Sequence, residues 1–257
     1  MDSAGAVRRG RARPAHGAGA GGQDYESGGV APTLWATEYP ADPAVARLVD
    51  SLRAPHRARL EEVIATATGR IGRHYKSASP FDQLAGELLR EATGAEPGLP
   101  ARRGLRRIIG ARPHHPRNAL HPAAAPSKVV MLELTGAQVL QLLEQTATNQ
   151  NPSNDLARVG GLLQTSGLDW SANLNRPTGQ RVDGVQVNGK PLDRQRRYRV
   201  VTHNGMLSGI HRYATFAQGQ HIQKLSQGVT EVVEAGLRRR GSISPPVMAR
   251  VLVVPAK

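Results

Sequence analysis

"KVVMLELTGAQVLQLLEQ", Lys128 to Gln145, changes its hydrophobic period half-way along. Val129 to Leu134 is a short, nearly continuous apolar run, the pattern of a buried strand. Thr135 follows, with Gln138 three residues later, and the two form a capping box: a hydroxyl for the unpaired helical N–H groups and an amide reaching back. Val139, Leu140, Leu142 and Leu143 then fall at helical spacing and are expected to point inward. A buried strand running directly into a capped helix puts both periods around one core.

The same reading extends outward. In "VDGVQVNGKPLDRQRRYRVVTH", Val182, Val185 and Val187 lead into Asn188-Gly189, a pair that favours the positive φ angles of a tight turn. "VTEVVEAGLRRR" reads as a helix closed by Gly241, and "VMARVLVVP" as a final strand. Upstream, Ser79 and Pro80 open a helix on which Phe81, Leu84, Ala85, Leu88, Leu89 and Ala92 share one face. Asp42 and Pro43 give an earlier start, and the residues after them read as one or two helices with a break near Pro55. The fold class is α+β, a mixed α/β single domain with a disordered N-terminal tail.

The net charge of +14 is uneven: residues 1–20 and 101–128 hold 10 of the 14 charges. Both stretches are rich in Gly, Ala and Pro, the composition of solvated segments, and aromatics that could stack bases are scarce. Nucleic acid is therefore not the expected partner. There is no cysteine, which excludes disulfide scaffolds and thiolate metal sites. No apolar run approaches the roughly 20 residues of a membrane span, and the N-terminus lacks the apolar segment of about 7–15 residues of a secretory signal.

In this order, "SPFDQLAGELLREATGAEPGL", "KVVMLELTGAQVLQLLEQ", "TSGLDWSANLNRPTGQRVDGVQVNGKPLDRQRRYRVVT" and "VVEAGLRRRGSISPPVMARV" closely resemble the C-terminal domain of the bacterial 5′-nucleotidase family of metallophosphoesterases. The expected organisation is a basic tail (1–41), a helical linker segment (42–78) and the 5′-nucleotidase-like domain (79–257), with 101–127 irregular. The resemblance implies that a separate N-terminal domain holds two divalent metals and hydrolyses the phosphoester, while this domain grips the nucleoside. It also implies action in the periplasm or outside the cell. The family's metal hallmarks, Asp-x-His, Gly-Asn-His-Glu/Asp and Gly-His-x-His, do not occur here, so no cofactor is expected in this chain and no catalytic or metal residue is assigned.

The family grips the base between two Phe rings, aided by an Asp and an Asn. One Phe and the Asp lie in a segment resembling Asn-Asp-Phe-Leu-Ala-Ser-Gly-Gly-Asp-Gly-Tyr, which here reads "HNGMLSGIHRY". The Phe falls on Gly205, the second Gly on Ile210, the Asp on His211 and the third Gly on Arg212, while Ser208, Gly209 and Tyr213 match. Gly167 matches a family glycine that lets the backbone approach the base, and it reads equally as a turn glycine. Gly167, Gly205 and His211 are thus the candidate substrate-binding positions, in degenerate form, and are expected around one shallow cleft.

The other Phe and the Asn belong just before Lys128, where "HHPRNALHPAAAPS" does not match. Reading the codons of His114 to Ala125 one base later permits Ile-Thr and Thr-Leu-Gln-Pro-Leu at the family's spacing, which points to a shifted reading frame over roughly 101–127. Two functions stay open from sequence. One is the substrate-binding half of a nucleotidase, without its catalytic domain, binding nucleotide or nucleoside weakly and meeting a metallophosphoesterase domain in trans. The other is a basic module for nucleic acid or another polyanion.

Overall fold

The computed structural model describes residues 41–74, 77–99 and 127–255, so the expected tail and the irregular stretch with its frame question fall almost wholly outside the described residues. The chain divides after Arg57 into two units. In the first, helix α1 (Pro43–Arg53) opens on Asp42, whose Oδ1 accepts from the N–H groups of Ala44 and Val45 at 2.8 and 3.0 Å. A 3₁₀ turn at Ala54–His56 marks the break at Pro55, and α2 (Arg57–Glu61) follows.

The helical segment expected over 42–78 ends at Glu61. Val63, Ile64, Thr66 and Thr68 are β-branched and favour extended backbone. Thr66–Ala67 forms strand β1, and Ile71 is 1% exposed in the core. This stretch belongs to the second unit's packing and does not link to it from outside.

That unit continues as α3 (Pro80–Thr93), β2 (Lys128–Thr135), α4 (Gly136–Gln150), β3 (Leu168–Asn173), β4 (Val182–Val187), β5 (Lys190–Pro191), β6 (Arg197–His203), α5 (Asn204–Leu207), β7 (Gln220–Gly228), α6 (Val229–Arg240), β8 (Ser242–Ile243) and β9 (Val251–Val254). Strands β6-β2-β7 form one antiparallel sheet. Strands β5-β4-β3-β9 form a second, with β3 and β9 parallel, and β1 pairs with β8. The fold is a mixed α+β domain.

Strand β2 serves two apolar clusters because successive side chains point to opposite faces. Val130, Leu132 and Leu134 pack with α4, Trp170 and Tyr198, while Val129 joins α3 and α6. The capping box of α4 is present: Gln138 N–H donates to Thr135 Oγ1 at 3.2 Å and Thr135 N–H to Gln138 Oε1 at 2.8 Å. Asn188 (φ 50°) and Gly189 (φ 76°) make the turn between β4 and β5.

Two details depart from the helical faces read above. Ala92 is exposed and Leu140 only half-buried, whereas Asp82 and Gln83 are buried. The first half of α3 is enclosed on every side, so its polar residues are paired: Arg73 Nη2 donates to Asp82 Oδ1 at 2.9 Å, and Gln83 Oε1 accepts from Ala249 N–H at 2.8 Å. The last turn of α3 emerges into solvent, which leaves Ala92 outside.

Candidate functional site

Strand β6 leads straight into the segment that carries the candidate positions. His203, 2% exposed, ends the strand, and its Nδ1 accepts from Gly205 N–H at 3.0 Å, capping α5. On either side, Thr202 Oγ1 donates to Leu99 O at 2.9 Å and Lys128 N–H donates to Asn204 Oδ1 at 3.0 Å. The described ends of the stretch 100–126 are therefore both held next to Gly205.

After α5 the chain turns through left-handed backbone. Gly209 (φ 68°), His211 (φ 53°) and Arg212 (φ 66°) all have positive φ. A left-handed residue with a β-carbon is strained unless it is Asn or Asp, and Gly is free of the penalty. Arg212 thus holds a conformation that suits glycine, the residue the family motif carries at this point, and His211 one that suits aspartate, the motif's residue there. The turn is held from α4: Asn149 Nδ2 donates to His211 O at 2.8 Å and Gln145 Nε2 to Asn149 Oδ1 at 2.8 Å. The His211 ring lies against Gly160, where an added Cβ would come within 3.1 Å of Cγ.

Tyr213 closes the turn in the core, edge-on to Phe216 at 6.4 Å. Burial pushes its hydroxyl up to about 12, opposed by the nearby Thr146 and Asn149 side chains. Neither neighbour reaches hydrogen-bond geometry with Oη, so the phenol stays protonated and the ring acts by packing.

The strain at Arg212 gives a direct test. Arg212→Gly is expected to stabilise the domain by about 1 kcal/mol, raising the melting temperature by roughly 2–4 °C. Calorimetry of the two proteins decides it, and a lower melting temperature for the glycine variant would contradict the account.

Gly167 has a different surrounding. With φ at 72°, an added Cβ would stand 2.5 Å from Cζ of Arg90. Arg90 Nη2 donates to Asn188 Oδ1 at 2.6 Å, and Asn188 N–H donates to Gly167 O at 3.0 Å. The guanidinium thus ties α3 to the β4–β5 turn across a glycine whose missing Cβ leaves room for it. Desolvation lowers the Arg90 pKa, against the opposing effect of Glu87 and Glu91. This packing accounts for Gly167 without a ligand. Beside it, Glu87, Arg90, Glu91 and Ala95 line an open depression of about 390 Å³, which includes none of Gly167, Gly205 or His211. Gly205 and His211 share one turn, while Gly167 belongs to the Arg90 contact.

Sequence reasoning missed Arg90, because its partner Asn188 is 98 positions away and nothing local marks the pair. Asn149 had a signal: it continues the buried face of α4 through Leu142 and Thr146, where a polar residue requires a partner.

Among the described residues no three His, Asp or Glu side chains stand together to hold a metal ion. His203 Nδ1 is used on Gly205, His221 pairs with Glu133 at 3.0 Å, and His74 Nδ1 lies 3.1 Å from Ala78 O. These donors do not fit a two-metal centre.

The domain agrees in sequence with a known family. The family model described as the 5′-nucleotidase C-terminal domain matches residues 63–218. The chain belongs to this family. The match begins ahead of Ser79, in keeping with the packing of β1 and Ile71.

Among curated proteins, the trifunctional nucleotide phosphoesterase protein YfkN of Bacillus subtilis is 26% identical over 168 residues, 63% of this chain and 11% of its own length. Protein 5NUC of Lutzomyia longipalpis is 32% identical over 103 residues, 37% of this chain and 18% of its own. Two solved Thermus thermophilus structures share the fold. Sulfate thiohydrolase SoxB has a TM-score of 0.70 at 23% identity, covering 86% of this chain and 40% of that one. A 5′-nucleotidase precursor has 0.67 at 21%, covering 85% and 44%. The chain therefore spans less than half the length of each of these relatives.

Proposed function

We propose that residues 58–257 are the substrate-side domain of a 5′-nucleotidase-type hydrolase in which the base-binding positions have been dismantled. The observation that carries this is the turn from His203 to Tyr213. Its backbone has left-handed bends that would suit an Asp-Gly pair such as the family motif carries, while the side chains there are His211 and Arg212 and the ring position is Gly205.

A base stacked on an aromatic gains roughly 1–3 kcal/mol per ring, so losing two rings removes on the order of 2–6 kcal/mol. A micromolar ligand would become millimolar or weaker. His211 offers a ring nitrogen where a carboxylate accepted hydrogen bonds from the base, and it cannot fill the same role when its nitrogen carries the proton. Hydrolysis of a phosphomonoester needs two ions roughly 3.5–4 Å apart to supply hydroxide and clamp the phosphoryl oxygens. In this reading they are supplied by a metallophosphoesterase domain outside these residues, in cis or in trans.

The test is direct. The 257-residue chain, incubated with adenosine monophosphate and Mn²⁺ or Zn²⁺, is expected to release no phosphate above the uncatalysed background. Adenosine is expected to bind no tighter than millimolar in calorimetry. Turnover above about 1 s⁻¹, or a dissociation constant below about 10 µM, would overturn the reading.

A further inference from the structure

Gly205 is not a glycine for the sake of its backbone. It lies in the first turn of α5 and is absent from the positive-φ glycines, so its conformation suits any L-residue. What forbids a side chain there is His203. A Cβ on Gly205 would stand 2.8 Å from Cε1 and 3.0 Å from Nδ1 of that imidazole, with Ile210 Cδ1 next at 3.6 Å. The ring cannot simply swing aside. It is 2% exposed, its Nδ1 holds the Gly205 N–H, and the strand on both sides of it is tied by Thr202 to Leu99 and by Asn204 to Lys128. Moving it would break the cap of α5 and open a void in a close-packed region.

We infer that His203 is the positioning residue that excludes any side chain at 205 and so keeps the base-binding position of this turn closed. Two substitutions are then one event. An imidazole at 203 and an aromatic ring at 205 compete for the same volume, and the chain holds the imidazole. A small cap at 203 would relieve the conflict, because Asn or Ser presents an oxygen to the N–H two residues on while leaving the ring's space empty. The geometric coupling stands by itself. Its consequence for ligand binding rests on the reading of the turn given under Proposed function.

The experiment is a double-mutant cycle on the full chain with thermal unfolding as the first readout. G205A alone is expected to lower the melting temperature by roughly 4–8 °C, as overpacking against a fixed ring does. In the H203N background the same change is expected to leave the melting temperature unchanged or slightly raised, since Ala is a better helix former than Gly. H203S offers the same cap oxygen and replaces H203N if that variant does not fold. Equal losses in both backgrounds would overturn the proposal.

The second readout is adenosine titration of G205F and of H203N/G205F. The double variant is expected to bind at least tenfold more tightly, a difference that a purely structural role for His203 does not produce. Coupling in the melts with identical adenosine affinities would leave His203 as the residue that governs position 205 and would instead overturn the reading of this turn as a base-binding position.

Discussion

Alanine at position 136 is expected to destabilise the domain by about 4 kcal/mol or more, the range reserved for severe core defects. Gly136 is the first residue of α4, and its added Cβ would come 2.1 Å from Asp193 O, 2.8 Å from Asp193 C and 3.0 Å from Arg194 Cα. All three are main-chain atoms, so no rotamer change can clear the overlap. The opposing turn is also pinned. Asp193 N–H donates to the Tyr198 hydroxyl at 2.9 Å, and Asp193 Oδ1 accepts from Gln195 N–H at 2.9 Å. Gly136 and Ala137 donate their own N–H groups to Arg196 O and Arg194 O, each at 2.9 Å, which presses the helix start onto that turn. Gly184→Ala is the control: it has φ of 62° but no atom within 4 Å of the added carbon, and is expected to lose only about 1 kcal/mol of backbone strain. Urea unfolding of the two variants measures the difference, and losses within 1 kcal/mol of each other would show that the α4 start yields where the structure says it cannot.

The second large effect is expected at Arg181. This side chain is 6% exposed. Its Nε donates to Arg176 O at 2.9 Å and its Nη1 to Asn151 O and Ala147 O at 2.7 and 3.3 Å. The last turn of α4 carries no basic residue of its own, so the guanidinium from the β3–β4 connection supplies both the hydrogen bonds and the positive charge that a helix C-terminus favours. Arg181→Met keeps most of the volume and removes the donors. Hydrogen bonds to a charged group contribute about 1.5–3 kcal/mol, and of the three carbonyls left behind that of Ala147 is buried while those of Asn151 and Arg176 reach solvent in part, so a loss of roughly 2 kcal/mol is expected. Arg181→Lys keeps the charge without the planar fork and should lose about half as much. Denaturant midpoints rank the three proteins, and a methionine variant as stable as the parent would mean that these carbonyls need no donor.

The family membership could be read early because it rests on short-range pattern. "HNGMLSGIHRY" shows at once where this turn departs from the motif it resembles. It does not show that Arg212 sits at φ 66°, since a backbone angle is imposed by neighbours such as Asn149 on α4. Nor does it show that His203 and Gly205 are one linked change, which needs the direction of the imidazole. Gly167 is the instructive case. Sequence left a turn glycine and a ligand-approach glycine as equal readings, and the Arg90 guanidinium 2.5 Å from its missing Cβ supplies a packing reason.

The sequence by itself determined the elements whose signals are local. The capping box of Thr135 and Gln138, the Asn188-Gly189 turn, the Ser79-Pro80 start of α3 and the Gly241 end of α6 each depend on a few adjacent residues. Tertiary structure alone decided which segments enclose which. It placed Thr66–Ile71 in the domain, buried Asp82 and Gln83, left Ala92 outside and brought Arg181 to the end of α4. Those outcomes depend on partners dozens of positions away, and no local period encodes the distance at which two such segments meet.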